Sequence, residues 1–247
     1  RITVSDGNDW GAAYSPDGTE IAFNSTRGGH SGIYRMPAES GSAICISEED
    51  IEMVTWIDDK NLLASGSNLQ TGKVLYQVSL EGGRPQLIMP FADYFSDISA
   101  DGQRIIFQRE GDAYRETYEG SLNGDLWEWS RKTNEYNRLT DTPFTERYPV
   151  YSNISADVYF VSLANGTFQL FCAEDGNFEN RKQLTRFKQW PARDLSIAGQ
   201  NDRMVFERFD ELWRWNPQTE KAEKVEVVIH QDFLGDFKRE REYINQA

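Results

Sequence analysis

The sequence predicts an all-β fold, a β-propeller of four-stranded blades, and three recurring signals carry that prediction. The first is a ten-residue unit, "YSPDGTEIAF" at 14–23, which returns at a spacing of 42 as "WIDDKNLLAS" at 56–65 and "ISADGQRIIF" at 98–107. Looser copies follow as "YSNISADVYF" at 151–160 and "LSIAGQNDRMVF" at 195–206. The second is an aliphatic–aromatic pair after each copy, ending in Tyr34, Tyr76, Trp127, Phe171 and Trp213 at steps of 42, 51, 44 and 42. The third is a closing run, "CIS" at 45–47, "LIM" at 87–89, "RLT" at 138–140 and "QLT" at 183–185. Short strands repeating every 40 to 50 residues, roughly, are the mark of propeller blades. A β-sandwich is the nearest competitor, but it has no need of three anchors in constant order.

Each element of a blade has its own warrant. "AAYS" and "EIAF" alternate or run apolar, as the first and second strands should. Between them lies Pro16-Asp17-Gly18, where Pro fixes φ and Gly tolerates a positive one, so the turn has a mechanism. "GIYRM" reads as the third strand and "AICIS" as the fourth. Turns such as "EGG" at 81–83 and "NPQTE" at 216–220 separate the last two strands, and no long stretch has helical periodicity. The propeller is expected over 1–229, with blades at about 5–47, 48–89, 90–140, 141–185 and 186–229. The opening "RIT" matches the closing run. Residues 1–4 are therefore expected to form the outer strand of a preceding blade, and the five full repeats to belong to an incomplete six-bladed ring. Residues 230–247 are charged, lack the blade pattern and read as a linker towards a following domain.

Composition narrows the function. The 247 residues include 38% hydrophobic and 13% aromatic side chains, enough for a sizeable core. The net charge is −14, from 40 acids against 26 bases. That argues against a nucleic-acid partner, because phosphate binding needs a basic surface. No apolar run approaches the roughly 18 residues of a membrane span. Cys45 and Cys172 sit in apolar runs without CxxC spacing and read as small hydrophobes.

A search for chemistry gives no catalytic, metal or cofactor site. His30 lies in the Gly-rich turn "RGGHSG" and His230 in the charged tail, and no GxSxG nucleophile elbow is present. Asp6, Asn8 and Asp9, and the acids of "EEDIE" at 48–52, offer oxygens of the kind calcium takes, but neither stretch has EF-hand spacing. Turn-forming polar loops explain them as well. The anchor aromatics are the composition of a sugar-stacking platform, yet their recurrence in every blade points to packing between blades.

Loops carry the remaining signal. The connections between blades and the loop joining second to third strands share one end of a propeller. Blade 3 carries an insertion there: Phe107 and Trp127 are 20 positions apart, against 11 for Phe23 and Tyr34. The insertion holds Tyr114 and Arg115. Connections entering blades 1 and 2 are acidic, with Asp9 and Glu52, while those entering blades 4 and 5 are basic, with Arg147, Arg186, Lys188 and Arg193. Asp9, Glu52, Tyr114, Arg115, Arg147 and Arg193 are the candidate peptide contacts, expected on exposed loops where binding function concentrates.

These residues also carry a resemblance. "YSPDGTEIAF" with "GIYRMP" is similar to the repeat of TolB-type and tricorn-type propellers. The succession "GDAYRETYEGSLNGDLWEW" (111–129), "RLTDTPFTERYPVYS" (138–152) and "QLTRFKQWPARDLSIAG" (183–199) resembles the N-terminal propeller of bacterial tricorn-like serine peptidases. The resemblance covers essentially the whole chain. It implies a multidomain protein with a PDZ-like module and a C-terminal serine peptidase domain, whose catalytic residues match no position here. It further implies a non-catalytic propeller that filters or docks peptides, with peptides, proteins and other domains of the same polypeptide as partners. Bacterial members are exported, so a periplasmic protein is expected, with the cytoplasm as the alternative. The competing reading is a TolB-like scaffold for protein–protein interaction with no attached peptidase.

Overall fold

Twenty strands, taken four at a time in chain order, form five separate antiparallel sheets in a computed structural model. The described residues are 3, 5–68, 72–92, 94–109, 111, 123–164 and 166–228. Blade 1 consists of β1 (Asp9–Tyr14), β2 (Glu20–Ser25), β3 (Gly32–Pro37) and β4 (Ile44–Ser47). Blade 2 has β5 (Ile51–Asp58), β6 (Asn61–Asn68), β7 (Gly72–Ser79) and β8 (Gln86–Ala92). Blade 3 has β9 (Tyr94–Ile98), β10 (Arg104–Arg109), β11 (Asp125–Ser130) and β12 (Tyr136–Arg138). Blade 4 has β13 (Glu146–Tyr151), β14 (Val158–Ala164), β15 (Thr167–Ala173) and β16 (Lys182–Gln183). Blade 5 has β17 (Arg193–Ile197), β18 (Met204–Arg208), β19 (Glu211–Asn216) and β20 (Lys221–Lys224). The one helical element among the described residues is a single 3-10 turn at Glu174–Gly176. The first strands of consecutive blades lie side by side, so the blades stand around an axis as a propeller. Residues 1, 2 and 4 of the expected preceding strand, and all of 230–247, lie outside the described residues.

Local chemistry explains the anchors. In blade 1 the Ser15 hydroxyl donates to Asp17 Oδ1 at 2.6 Å, the Thr19 amide donates to the same oxygen at 3.0 Å, and Gly18 takes φ 75°. Blade 3 repeats the turn with Ser99, Asp101 and Gln103 at 2.6 and 3.0 Å. The side-chain hydroxyl hydrogen bonds hold both Asp17 and Asp101 below the usual carboxylate range. The closing threonines lie past their outer strands and extend the ladder with a side chain. Leu126 N donates to Thr140 Oγ1 at 2.9 Å, and Leu170 N donates to Thr185 Oγ1 at 3.0 Å.

Each anchor aromatic sits opposite the end of the repeat unit across the second and third strands, facing its last residue in blades 1, 3, 4 and 5 and its last but one in blade 2. The pairs are Phe23 with Tyr34, Ala64 with Tyr76, Phe107 with Trp127, Phe160 with Phe171, and Phe206 with Trp213. Cross-strand neighbours on one face pack together, which is why the two signals travel as a set. From blade 2 onward this face turns to the preceding blade. Tyr76, Trp127, Phe171 and Trp213 pack in clusters shared with blades 1, 2, 3 and 4 respectively. The anchors thus pack at the seams as the sequence predicts, with Tyr34 and Phe171 buried and Tyr76, Trp127 and Trp213 half-buried at the margins.

Four apolar clusters weld the blades in order, 1 to 2, 2 to 3, 3 to 4 and 4 to 5. Polar links reinforce them. Asn24 of β2 accepts from Met53 N at 2.8 Å, Trp56 Nε1 donates to the Ala13 carbonyl at 3.0 Å, and Tyr151 N donates to Asp97 Oδ2 at 2.8 Å. The seam between blades 5 and 1 is different. The β17–β18 turn approaches the β1–β2 turn, where a methyl on Gly199 would lie 3.9 Å from the Pro16 carbonyl oxygen. Among the described residues no apolar cluster joins those two blades; Ile21, Phe23, Tyr34 and Met36 form a cluster within blade 1 alone.

Candidate functional site

A four-strand meander puts its first and third turns at one end. The second turn and the connection to the next blade lie at the other. The second end is the candidate site, because every candidate contact among the described residues belongs to it. Its innermost strands share a device. Each of β1, β5, β9, β13 and β17 carries a bulge near its start. In four of the five the bulge contains a left-handed residue, Gly11 (φ 60°), Phe95 (φ 50°), Tyr148 (φ 52°) or Asp194 (φ 50°). Each stands three positions before the last residue of its strand. A bulge bends the strand and re-aims a side chain. Non-glycine residues at positive φ cost energy that surrounding contacts must offset.

Here the rings meet. Phe95 and Tyr148, from neighbouring blades, have centroids 4.2 Å apart. Burial pushes the Tyr148 hydroxyl up to about 12, with the Asp194 carboxylate adding to the shift. Arginines cover the anchor pairs at this same end. Arg27 lies 4.8 Å over Phe23 and 5.2 Å over Tyr34, Arg109 5.0 Å over Trp127, and Arg208 4.4 Å over Trp213.

The candidate contacts are sorted unevenly. Glu52 is exposed on β5. Asp9 is occupied: Arg27 binds it at 2.9 Å. Burial raises its pKa, but hydrogen bonds from Ser25, Thr3 and Arg27 outweigh this and hold the carboxyl below its usual range. Arg193 is half-buried and lines a cleft in blade 5, whereas Arg186 and Lys188 are exposed. Tyr114 and Arg115 lie outside the described residues.

Arg147 corrects the expectation of an exposed loop arginine. It is the second residue of β13, 1% exposed, with its guanidinium 4.3 Å from the Phe168 ring centroid. It pairs with Val161, on the face that packs against blade 5. Both faces of β13 are buried, so a side chain on either of them is taken out of water despite the nearby loop. Arg147→Ala is therefore expected to lower stability by about 2 kcal/mol, the scale of a desolvated cation–π contact, as read by urea denaturation; an unchanged midpoint would contradict this burial.

Beside it, Glu146 is fully buried. Its Oε1 accepts from Thr142 at 2.7 Å and Ser162 at 3.2 Å, while Oε2 has no hydrogen-bond partner. Burial pushes its pKa up to about 7. His30 is exposed, its Nε2 3.9 Å from Glu48. No cluster of three or more metal-ligating side chains occurs among the described residues.

Sequence reasoning missed four exposed rings at this end: Trp10, Phe95, Trp190 and Phe209. None belongs to the repeat anchors, and the left-handed backbone that presents three of them leaves no signature in residue type. Gly11 was the one hint that this strand position takes positive φ.

The comparisons with known proteins agree with this architecture. Residues 1–221 match the family described as the tricorn protease N-terminal beta propeller domain. The chain belongs to that family. The tricorn protease of Thermoplasma acidophilum is 24% identical over 234 residues, covering 87% of this chain and 21% of that protein. The crystal structure of the tricorn protease matches with a TM-score of 0.73 at 22% identity, over 93% of this chain and 23% of that one. The putative TolB of Agrobacterium tumefaciens matches at 0.69 and 17%, over 89% and 81% of the two chains. This tricorn-type propeller thus spans about a fifth of the length of its tricorn relative. No helix among the described residues is long and apolar enough to cross a membrane.

Proposed function

We propose that this tricorn-type propeller is a non-catalytic module that docks or filters polypeptide on its bulged end, within a larger exported peptidase. The observation that carries the reading is the concentration there of exposed rings and charges on strained, well-supported backbone. Strained residues persist where the surrounding structure fixes them, and such places favour recognition. Aromatic faces offer contact to any side chain, which suits a filter that grips no single sequence. Exposed ion pairs add only about 0–1 kcal/mol each, so binding is weak and falls with salt.

The test is NMR titration with acidic, neutral and basic peptides at low and high salt. Shifts on the bulged end are expected. Shifts confined to the opposite end, around Asp17 and Asp101, or none at all, would overturn the reading. Incubation with a mixed peptide library is expected to leave the peptides uncut. A second reading, a TolB-like scaffold without a peptidase, draws on the TolB match, which covers most of both chains. The sequence of the gene downstream of residue 247 separates the two.

A further inference from the structure

The molecule covers its aromatic faces with its own cations. Arg27, Arg104, Arg109, Arg147 and Arg208 each place a guanidinium 5.2 Å or less from a ring centroid. One pair differs. Trp190, in the connection entering blade 5, stacks on Phe209 of the β18–β19 turn, with centroids 4.4 Å apart and planes 27° from parallel. Both rings are exposed, at 52% and 67%. Among the described residues no cation is recorded over either ring.

The pair is held in place from below. Trp190 and Phe209 both adopt left-handed backbone, at φ 61° and 59°. Arg208 donates to the Gln189 carbonyl at 2.8 Å and the Trp190 carbonyl at 3.4 Å. Its guanidinium is itself sandwiched, 3.7 Å from the Phe187 centroid and 4.4 Å from that of Trp213. The platform is therefore fixed by a half-buried stack beneath it rather than by the exposed rings themselves.

Beside the rings opens a cleft of about 270 Å³, lined by Trp190, Pro191, Arg193, Asp194, Glu207 and Phe209. Asp194 and Glu207 are exposed, so carboxylates outnumber cations in the lining two to one. A ring face with carboxylates at its edge is the environment that attracts a cation.

We propose that the Trp190–Phe209 cleft binds the cationic side chain of a lysine or arginine in a polypeptide, its charge over the Trp190 ring and its donors on Asp194 and Glu207. This deepens the docking reading and rests on it. The cleft takes from a partner what Arg27 and Arg109 supply internally in blades 1 and 3. Arginine is favoured over lysine, because its planar guanidinium stacks on a ring while its edge donates to carboxylates.

The test uses the full chain and NMR of the tryptophan indole signals, with Trp190 assigned by its loss in Trp190→Gly, a substitution suited to positive φ. A capped glycine peptide with one central arginine is compared with the same peptide carrying citrulline, which keeps shape and loses charge. The arginine peptide is expected to bind at least about fivefold more tightly and to move the Trp190 indole. Glu207→Gln is expected to weaken it by about two- to fivefold, with the spectrum otherwise that of the folded protein. Equal binding of the two peptides, or shifts elsewhere on the bulged end, would overturn this cleft and leave the docking reading standing. Absence of binding by any peptide of the acidic, neutral and basic panel would overturn both.

Discussion

Phe160→Ala is expected to remove about 3–5 kcal/mol of stability, the scale of deleting a buried phenylalanine. Phe160 is completely buried in the seam between blades 3 and 4. It stacks on Phe171 at 5.8 Å and packs at a tilt against Phe178 at 5.5 Å. Ile106 and Leu126 of blade 3 complete the cluster. Four seams of this kind join the five blades, and a domain's net stability is only about 5–15 kcal/mol. Opening one seam therefore removes a large share of the whole. Urea denaturation followed by circular dichroism measures it; a loss below about 1 kcal/mol would mean the seam collapses around the missing ring. Trp213→Ala and Trp127→Ala should cost less, because each anchor tryptophan is only half-buried while its cross-strand partner, Phe206 or Phe107, carries the deeper position.

Stability should also fall as pH rises from 5 to 8, and Glu146→Gln should flatten that fall. Burial raises the folded-state pKa of Glu146 to about 7, above its ordinary 4.5. Between those values the folded chain holds more protons than the unfolded one, so stability decreases with rising pH. The full difference is on the order of 3 kcal/mol, complete above the folded pKa. Asp97 acts in the same direction, pushed up by burial from 3.8 to about 6 despite the amides of Tyr151 and Ile98 that bind its charged form. Denaturation midpoints at pH 5, 6, 7 and 8 give the curve. In Glu146→Gln the slope between pH 6 and 8 should nearly vanish while the value at pH 5 stays close to that of the parent. An equal slope in both proteins would show that Glu146 keeps its charge in the fold, compensated by Arg181 and the hydroxyls of Thr142 and Ser162.

The repeat was legible because one local requirement recurs in each blade. A turn needs a short polar residue and a glycine, as in Ser15-Pro16-Asp17-Gly18 and Ser99-Ala100-Asp101-Gly102. A strand needs an apolar alternate, and a seam needs a ring at one register. Those constraints act within about ten residues, so they repeat in sequence at the period of the blade. The aromatic anchors were readable as core for the same reason: a position filled with a ring five times answers to packing.

The bulged end was less legible. Asp9 and Arg27 are eighteen positions apart, and only the β1–β2 pairing brings them to 2.9 Å. Arg147 looks like a loop cation in sequence, yet it lies beneath the surface because both faces of β13 are buried. Trp190 and Phe209 are nineteen positions apart on separate connections, and neither lies at a repeated position.

By itself, then, the chain specified five blades, their turns and the rings that weld them, because secondary structure and seam packing answer to short-range pattern. The tertiary structure alone decided which charges face solvent, which carboxylate is held near neutrality and which two rings share an exposed stack. Those properties depend on burial and on contacts between distant segments, and neither is a function of local sequence.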